Sequence, residues 1–363
     1  QPTTIAHLVQ HLAPGGIEAM VVEMQRMATD SEEVHIISLE SRFTKASAQW
    51  PLLTTLPRIH FLDKPPGLSF QVVKDLCSLL RNLKVSVIHT HHAGPLLYGG
   101  AAAMLVRCRH IHTEHDAWHL LKMKRRLLVT ACLHFFRPKV VAVAQQVANS
   151  IQKHIPCINP GIISNGVNCQ RFSPGNQRAA RQLLGLPAEA PIIGCAARLT
   201  NAKNHHVLLK AFAGLPESVH LALAGNGELE SELKSLASQL NITSRLHWLG
   251  VIEDMPAFYR AINLLCMTSR NEGLPLAPLE AQACGTPVVI TDVGGSREAV
   301  DPNSGLLVKA QDHQLIHNVL SHYLETASNP ELKQSARYFV LDGFNITNTI
   351  YQYHTLYKEG TLK

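Results

Sequence analysis

Glu272 and Glu280 are separated by seven residues in the run Ser269-Arg270-Asn271-Glu272-Gly273-Leu274-Pro275-Leu276-Ala277-Pro278-Leu279-Glu280-Ala281. The first lies in a Gly/Pro-rich turn directly after an apolar, strand-like segment, Leu264-Leu265-Cys266-Met267. The second falls inside the helix that follows, which closes at Gly285 before another strand, Pro287-Val288-Val289-Ile290. A strand, a tight turn and a helix N-terminus leave unpaired N–H groups pointing outward, and a phosphate is the natural occupant of such a place. Two carboxylates beside it accept hydrogen bonds from hydroxyls on either side of a diphosphate. A nucleotide-sugar is the ligand that needs all three. By themselves, two glutamates at this spacing are ordinarily a solvated face.

Other residues point the same way. Arg198 and Lys203 follow the strand Pro191-Ile192-Ile193-Gly194-Cys195, in Ala197-Arg198-Leu199-Thr200-Asn201-Ala202-Lys203-Asn204. Fixed cations aimed at a departing diphosphate lower the barrier to its departure, although two surface cations five apart are usually only solvated. Near the N-terminus, Gly15-Gly16 precedes a helix; as a bare pair it is an ordinary turn. It is not G-x-G-x-x-G, and no such fingerprint opens either half, which disfavours a nicotinamide cofactor. His115 ends a short strand, Arg109-His110-Ile111, amid His110, His112 and His119, with His89, His91 and His92 earlier. His115 and His119 have the i, i+4 spacing of metal ligands on a helix, but no carboxylate or cysteine stands at matching spacing. Polar cleft histidines are the better expectation.

The elements that must position these residues read as alternating strands and helices. Strands are expected at Ile5–Val9, Val34–Leu39, Val85–His89, Val140–Val143 and Ile162–Ser164, the last breaking at Asn165-Gly166. Between them lie helical patterns at Ile17–Ala28 and Val72–Leu83. The pattern restarts at Pro191–Cys195 and continues through Val219–Leu223, Arg245–Leu249, Leu264–Met267 and Pro287–Ile290. Repeated alternation of this kind implies parallel sheets covered by helices. The expected division is an N-terminal Rossmann-like domain over 1–170, a polar linker over 171–190, a C-terminal Rossmann-like domain over 191–335 and a terminal helix over 336–363.

The stretch from Ser269 to Thr291 resembles the donor-site signature of the retaining glycosyltransferases of family 4, whose fold is called GT-B. The likeness covers nearly the whole chain, strongest from Asn165 to Val308 and weakest over residues 40–80. It implies two Rossmann-like domains facing each other across a cleft, the last helix crossing back to the first domain. It further implies that Arg198 and Lys203 grip the diphosphate and that Gly273, Leu274 and Leu276 bring N–H groups to it. Glu272 would hold hydroxyls of the transferred sugar and Glu280 those of the ribose. Asn226, within Gly225-Asn226-Gly227, and Val251 and Ile252, after Gly250, match loops that seat the base. Gly15 and Gly16 match the glycine-rich loop of the first domain, and His115 a histidine that contacts the donor sugar. One version of the motif has Gly where this chain has Pro275, which offers no N–H.

A chain of 363 residues, 46% hydrophobic and 17% charged, suits two soluble α/β domains. No apolar run approaches the ~20 residues of a membrane span. No signal-peptide pattern is visible, and because the chain opens on Gln1 the natural start is expected upstream. The eight cysteines include no C-x-x-C pair, which points to free thiols in a reducing cytoplasm. Residues 1–175 carry 18 Lys/Arg against 10 Asp/Glu, while the remainder carries 15 against 17. One domain therefore faces an anionic partner. The run Lys122, Lys124, Arg125 and Arg126, set among Leu120, Leu121, Met123, Leu127 and Leu128, fits either a solvated helix or a face resting on anionic lipid. Nucleic acid is disfavoured, since neither stacking aromatics nor a known module is present.

The resulting expectation is a retaining glycosyltransferase, a hexosyltransferase by resemblance, using a nucleotide-sugar and no metal or other cofactor. Its acceptor would be a glycan or lipid-linked molecule of cell-surface polysaccharide, lipopolysaccharide or glycolipid. It would work in the cytoplasm, peripherally at the inner face of the membrane. Two rivals are a GT-B sugar-nucleotide epimerase, revealed by nucleotide release without acceptor, and an inactive donor-binding scaffold, revealed by binding without turnover.

Overall fold

The structure, a computed structural model, describes residues 2–309 and 312–359. The chain divides into two compact units, one of residues 1–164 with Thr349 onward and one of residues 165–348. In the first, seven strands form one parallel sheet: β1 (Thr3–Val9), β2 (Glu32–Ser38), β3 (Ile59–Phe61), β4 (Val87–His91), β5 (Arg109–Glu114), β6 (Lys139–Ala142) and β7 (Gly161–Ile162). Their spatial order is β3-β2-β1-β4-β5-β6-β7. The second unit holds β8 (Ile192–Ala196), β9 (His220–Ala224), β10 (Leu246–Gly250), β11 (Leu264–Met267), β12 (Val288–Thr291) and β13 (Leu306–Val308). These too are parallel, in the order β10-β9-β8-β11-β12-β13.

Parallel strands need crossovers, which put helices on both faces and bury the strands from both sides. β11 and β12 are accordingly buried along their whole length. Helices form where apolar residues recur at helical spacing. In Phe70–Asn82 the buried residues include Val72, Leu76 and Leu80, and the Ser69 side chain accepts from the Val72 N–H to start the first turn. Both sheets reverse their strand order once, between β1 and β4 and between β8 and β11. Outside the carboxyl ends of strands at such a reversal the connecting loops diverge and leave a crevice, the usual ligand position in α/β sheets.

Several segments differ from expectation. Residues 171–190 contain a helix, Gln177–Leu184, whose cap Asn176 accepts from Ala179 N–H. Its Arg181 guanidinium donates to the carbonyls of Ala261 and Ala188 and to Asn263 Oδ1, so the segment expected as a polar linker is anchored in the second unit. β7 is only two residues long, because the chain turns at Asn165-Gly166 and Val167 bridges to Asn345. The short edge strands β3 and β13 give too few residues for a periodicity to register. From Thr349, the helix Ile346–Lys358 belongs to the first unit. There the Tyr357 hydroxyl meets His89 Nδ1 at 2.7 Å and the Tyr353 hydroxyl meets Thr113 Oγ1 at 2.9 Å. No helix among the described residues is long and apolar enough to cross a membrane.

Candidate active site

In the second unit the loops after β8 and β11, the two strands at the reversal, are laced together. Arg270 N–H donates to Ala202 O at 2.8 Å, and Thr268 Oγ1 donates to Asn204 O at 2.9 Å. Arg270 Nη2 reaches Asn204 Oδ1 at 3.2 Å. These bonds bring Lys203 onto Glu272, with Nζ 2.6 Å from Oε1. The Glu272 side chain is 8% exposed and that of Lys203 22%, so the pair lies largely out of water, where a charge–charge contact is screened less than at the surface. Arg198, five residues before Lys203, is exposed, and no side chain or carbonyl among the described residues holds it.

The turn after Glu272 supplies the donors. The helix Leu276–Ala283 has Pro275 at its cap position and no capping side chain, so its first-turn N–H groups have no intrahelical acceptor. Among the described residues no group accepts from the N–H of Gly273 or Leu274 either. The missing N–H of Pro275 therefore sits amid open donors and removes one of several. One turn along this helix, half-buried Glu280 accepts the Tyr259 hydroxyl at Oε2, 2.7 Å away.

The glycines around these loops were not all legible as such. Gly294, after β12, has φ of +53°, and a Cβ there would strike the Glu272 carbonyl. Gly295 N–H donates to that carbonyl at 3.3 Å, so this pair cradles the Glu272 turn. The signal in the sequence was a Gly-Gly directly after a strand. Gly225 has φ of +134° and lies against Ala197 O, while Leu199 N–H donates to Asn226 O at 2.8 Å. Gly225-Asn226-Gly227 thus seats the loop carrying Arg198. Asn226 is exposed, as is Val251, with Ile252 half-buried, all beyond the carboxyl ends of β9 and β10. A separate cavity of 470 Å³, by the amino ends of β11 and β12, is lined by Arg260, Cys284, Lys333 and Arg337 among others. Its arginines are engaged by main chain, Arg260 on Ser173 O and Arg337 on Phe172 O and Cys169 O.

In the first unit, Gly15 caps the helix Gly16–Arg26 in extended backbone, φ −168°. Both glycines follow β1, at the sheet reversal. His115 follows β5. It is buried, its Nε2 2.9 Å from His91 Nδ1, while its Nδ1 has no partner among the described residues. His91 Nε2 in turn meets His7 Nδ1 at 3.0 Å, and His89 Nε2 meets Thr113 Oγ1 at 2.7 Å. On the opposite face Thr90 Oγ1 joins His110 Nε2 at 2.9 Å and His112 Nδ1 at 3.0 Å. The expectation of cleft histidines is thus corrected for His89, His91, His110 and His112, which are core residues. Side chains alternate along β4 and β5, so histidines two apart share a face and satisfy one another across neighbouring strands. The i, i+4 pair does not converge either, since His119 Nδ1 goes to Asp116 Oδ1 at 3.0 Å. Among the described residues His7, His89 and His91 form a group whose ligating atoms lie within 4.8 Å of one another. A metal there would have to displace this hydrogen-bonded network.

Burial lowers the pKa of His7 and His110 from 6.5 to about 3, and those of His89, His91 and His115 well below 6.5, aided by neighbouring rings. The folded rings stay neutral where unfolded ones take a proton. Their contribution is therefore complete above about pH 6.5 and is lost as pH falls toward the folded values, at up to about 1.4 kcal/mol per pH unit for each ring. Urea unfolding followed between pH 7.5 and 5 should show stability dropping steeply on the acid side. A flat profile would mean that the rings are charged or solvated in the folded state.

Of the basic run, Lys122, Lys124 and Arg125 are exposed and Arg126 half-buried, at the start of the helix Met123–Phe136. That helix buries Val129, Cys132 and Leu133 yet leaves Leu127 62% and Phe135 70% exposed, with Leu121 at 69% just before it. Apolar and cationic side chains are thus exposed side by side on this helix.

Two family profiles match in succession, Glycosyltransferase Family 4 over residues 3–171 and Glycosyl transferases group 1 over residues 176–338. The chain is similar to a UDP-Gal:alpha-D-GlcNAc-diphosphoundecaprenol alpha-1,3-galactosyltransferase of Escherichia coli, 27% identical over 80% of this chain and 81% of that one. A D-inositol 3-phosphate glycosyltransferase of Corynebacterium urealyticum is 37% identical, over 45% of this chain and less than half, 42%, of its own length. Among solved structures, Anabaena Alr3699/HepE in complex with UDP and glucose superposes with a TM-score of 0.86 at 21% identity, over 98% of this chain and all of that one. Two parallel sheets, each reversing its strand order once and matched in succession by the two profiles, make this chain a member of the family 4 glycosyltransferases, of GT-B fold.

Proposed function

We propose that the chain moves a sugar from a nucleotide-sugar to a glycan or lipid-linked acceptor, with retention of anomeric configuration and without a metal. The observation that carries this reading is the Lys203–Glu272 pair, 2.6 Å apart beside open N–H groups at the sheet reversal. A diphosphate entering there meets Lys203, Arg198 and the N–H groups of Gly273, Leu274 and Leu276. Glu272 takes hydroxyls of the sugar, Glu280 those of the ribose, and the loops of Asn226, Val251 and Ile252 take the base. The bond from the anomeric carbon to the phosphate oxygen breaks as the acceptor oxygen bonds to the same face, and the departing phosphate oxygen takes the acceptor's proton. The fixed cations supply the charge a bridging metal would supply. The UDP and glucose held by the Anabaena protein support a nucleotide-sugar donor. The diphosphoundecaprenol in the Escherichia coli relative's name supports a lipid-linked acceptor and a place in cell-surface polysaccharide or glycolipid assembly.

A thermal-shift screen against common nucleotide-sugars and nucleoside diphosphates tests this. A ligand at 100 times its Kd stabilises the fold by about 2.7 kcal/mol, which moves the melting midpoint by a few degrees. A screen in which none of them moves it would overturn the reading.

The same reading makes the helix Met123–Phe136 a peripheral contact with the inner face of the cytoplasmic membrane. Lys122, Lys124, Arg125 and Arg126 would each contribute about 1 kcal/mol near an anionic leaflet, with Leu121 and Leu127 inserting shallowly. Cosedimentation with vesicles containing anionic lipid should be strong at low salt and fade as salt rises. Reversing the four charges should abolish it and leave nucleotide binding intact. A wild-type protein that ignores anionic vesicles at low salt would return the run to an ordinary surface helix.

A further inference from the structure

Tyr259 lies on the short helix Met255–Ala261, 21 residues before Glu280. Nothing about its position suggests a site: it is fully buried, its ring against Phe258 at 5.5 Å and Phe172 at 6.0 Å between centroids. A buried phenol nevertheless needs a partner for its hydroxyl. Here the partner is the Glu280 carboxylate, at 2.7 Å. The main chain of Tyr259 is fixed independently, since its carbonyl accepts Thr286 Oγ1 at 2.7 Å. Helix and ring therefore hold the hydroxyl at one point, and the hydroxyl holds Glu280.

We propose that Tyr259 is a positioning residue for the nucleotide, its hydroxyl fixing the carboxylate of Glu280 in the orientation that receives the ribose hydroxyls. This rests on the reading of Glu280 as the ribose ligand. An ionised carboxylate only accepts, so the tyrosine must donate. Burial, together with the neighbouring Glu280 charge and their hydrogen bond, raises the Tyr259 pKa well above its ordinary value and keeps the phenol protonated. A charge-assisted bond of this kind is stronger than a neutral one. It removes rotamer freedom that the carboxylate would otherwise lose on meeting the ligand, and such preorganisation appears as affinity.

The test uses the full chain and whichever of UDP, GDP or ADP binds it most tightly, alongside the 2′,3′-dideoxy form of that nucleotide. Calorimetric titration of wild type, Tyr259→Phe, Glu280→Ala and the double variant gives a complete cycle. Tyr259→Phe keeps the ring and the carbonyl accepting from Thr286. It should weaken the ribonucleotide about tenfold, the usual size for one lost bond to a charged group, and leave the dideoxy form nearly unchanged. In the Glu280→Ala background the same change should cost nothing further. In turnover, Tyr259→Phe should raise the donor KM with less than about a twofold change in kcat, as loss of uniform binding does. Equal weakening of both nucleotides would mean that the tyrosine acts through folding alone, and additivity with Glu280→Ala would mean that it acts elsewhere; either overturns the inference. If wild type binds no nucleoside diphosphate, or Glu280→Ala binds it as wild type does, the ribose role fails first and takes this one with it.

Discussion

Lys203→Ala should lower kcat/KM by about 10² to 10³, the range measured when one preorganised donor to a developing negative charge is removed. Two losses combine at this position. On the proposed function the ammonium would no longer meet the departing diphosphate, and Glu272, largely buried, loses the cation 2.6 Å away. A carboxylate left unpaired in such surroundings is costly. Arg198→Ala is expected at the lower end of the same range, because its exposed side chain has no partner among the described residues to disorganise. Initial rates with saturating acceptor measure both. EDTA should leave the wild-type rate unchanged. If it abolishes the rate and Mg²⁺ or Mn²⁺ restores it, the two cations do not stand in for a metal.

Glu272→Ala should lower kcat by about 10- to 10²-fold with saturating donor, since bonds from a carboxylate to hydroxyls are worth about 1.5–3 kcal/mol each. The effect falls on kcat if those bonds tighten as the sugar flattens toward the transition state. Glu280→Ala should instead raise the donor KM. Because Lys203 and Glu272 touch, the double variant should lose less than the product of the single losses. Full turnover by Glu272→Ala at saturating donor would remove the residue from the reaction, whatever it does for the fold.

Alternation of apolar strands and amphipathic helices determined two parallel sheets, because that periodicity is a local property of burial on both faces. It also put Arg198, Lys203 and Glu272 just past strand ends and Glu280 in the helix that follows, where β8 and β11 turn out to flank the sheet reversal. The order of strands within a sheet is not local, and only the tertiary structure decided that these two loops meet. For the same reason the sequence could not couple Tyr259 to Glu280, or show that Gly294 yields space to the Glu272 carbonyl. Histidines of β4 and β5 read along the chain as polar residues of a cleft. Register across three strands turned them into a buried network with one another and with tyrosines of the final helix. A polar ring is tolerated in a core only when neighbours satisfy it, and which neighbours it has is settled by folding, not by spacing.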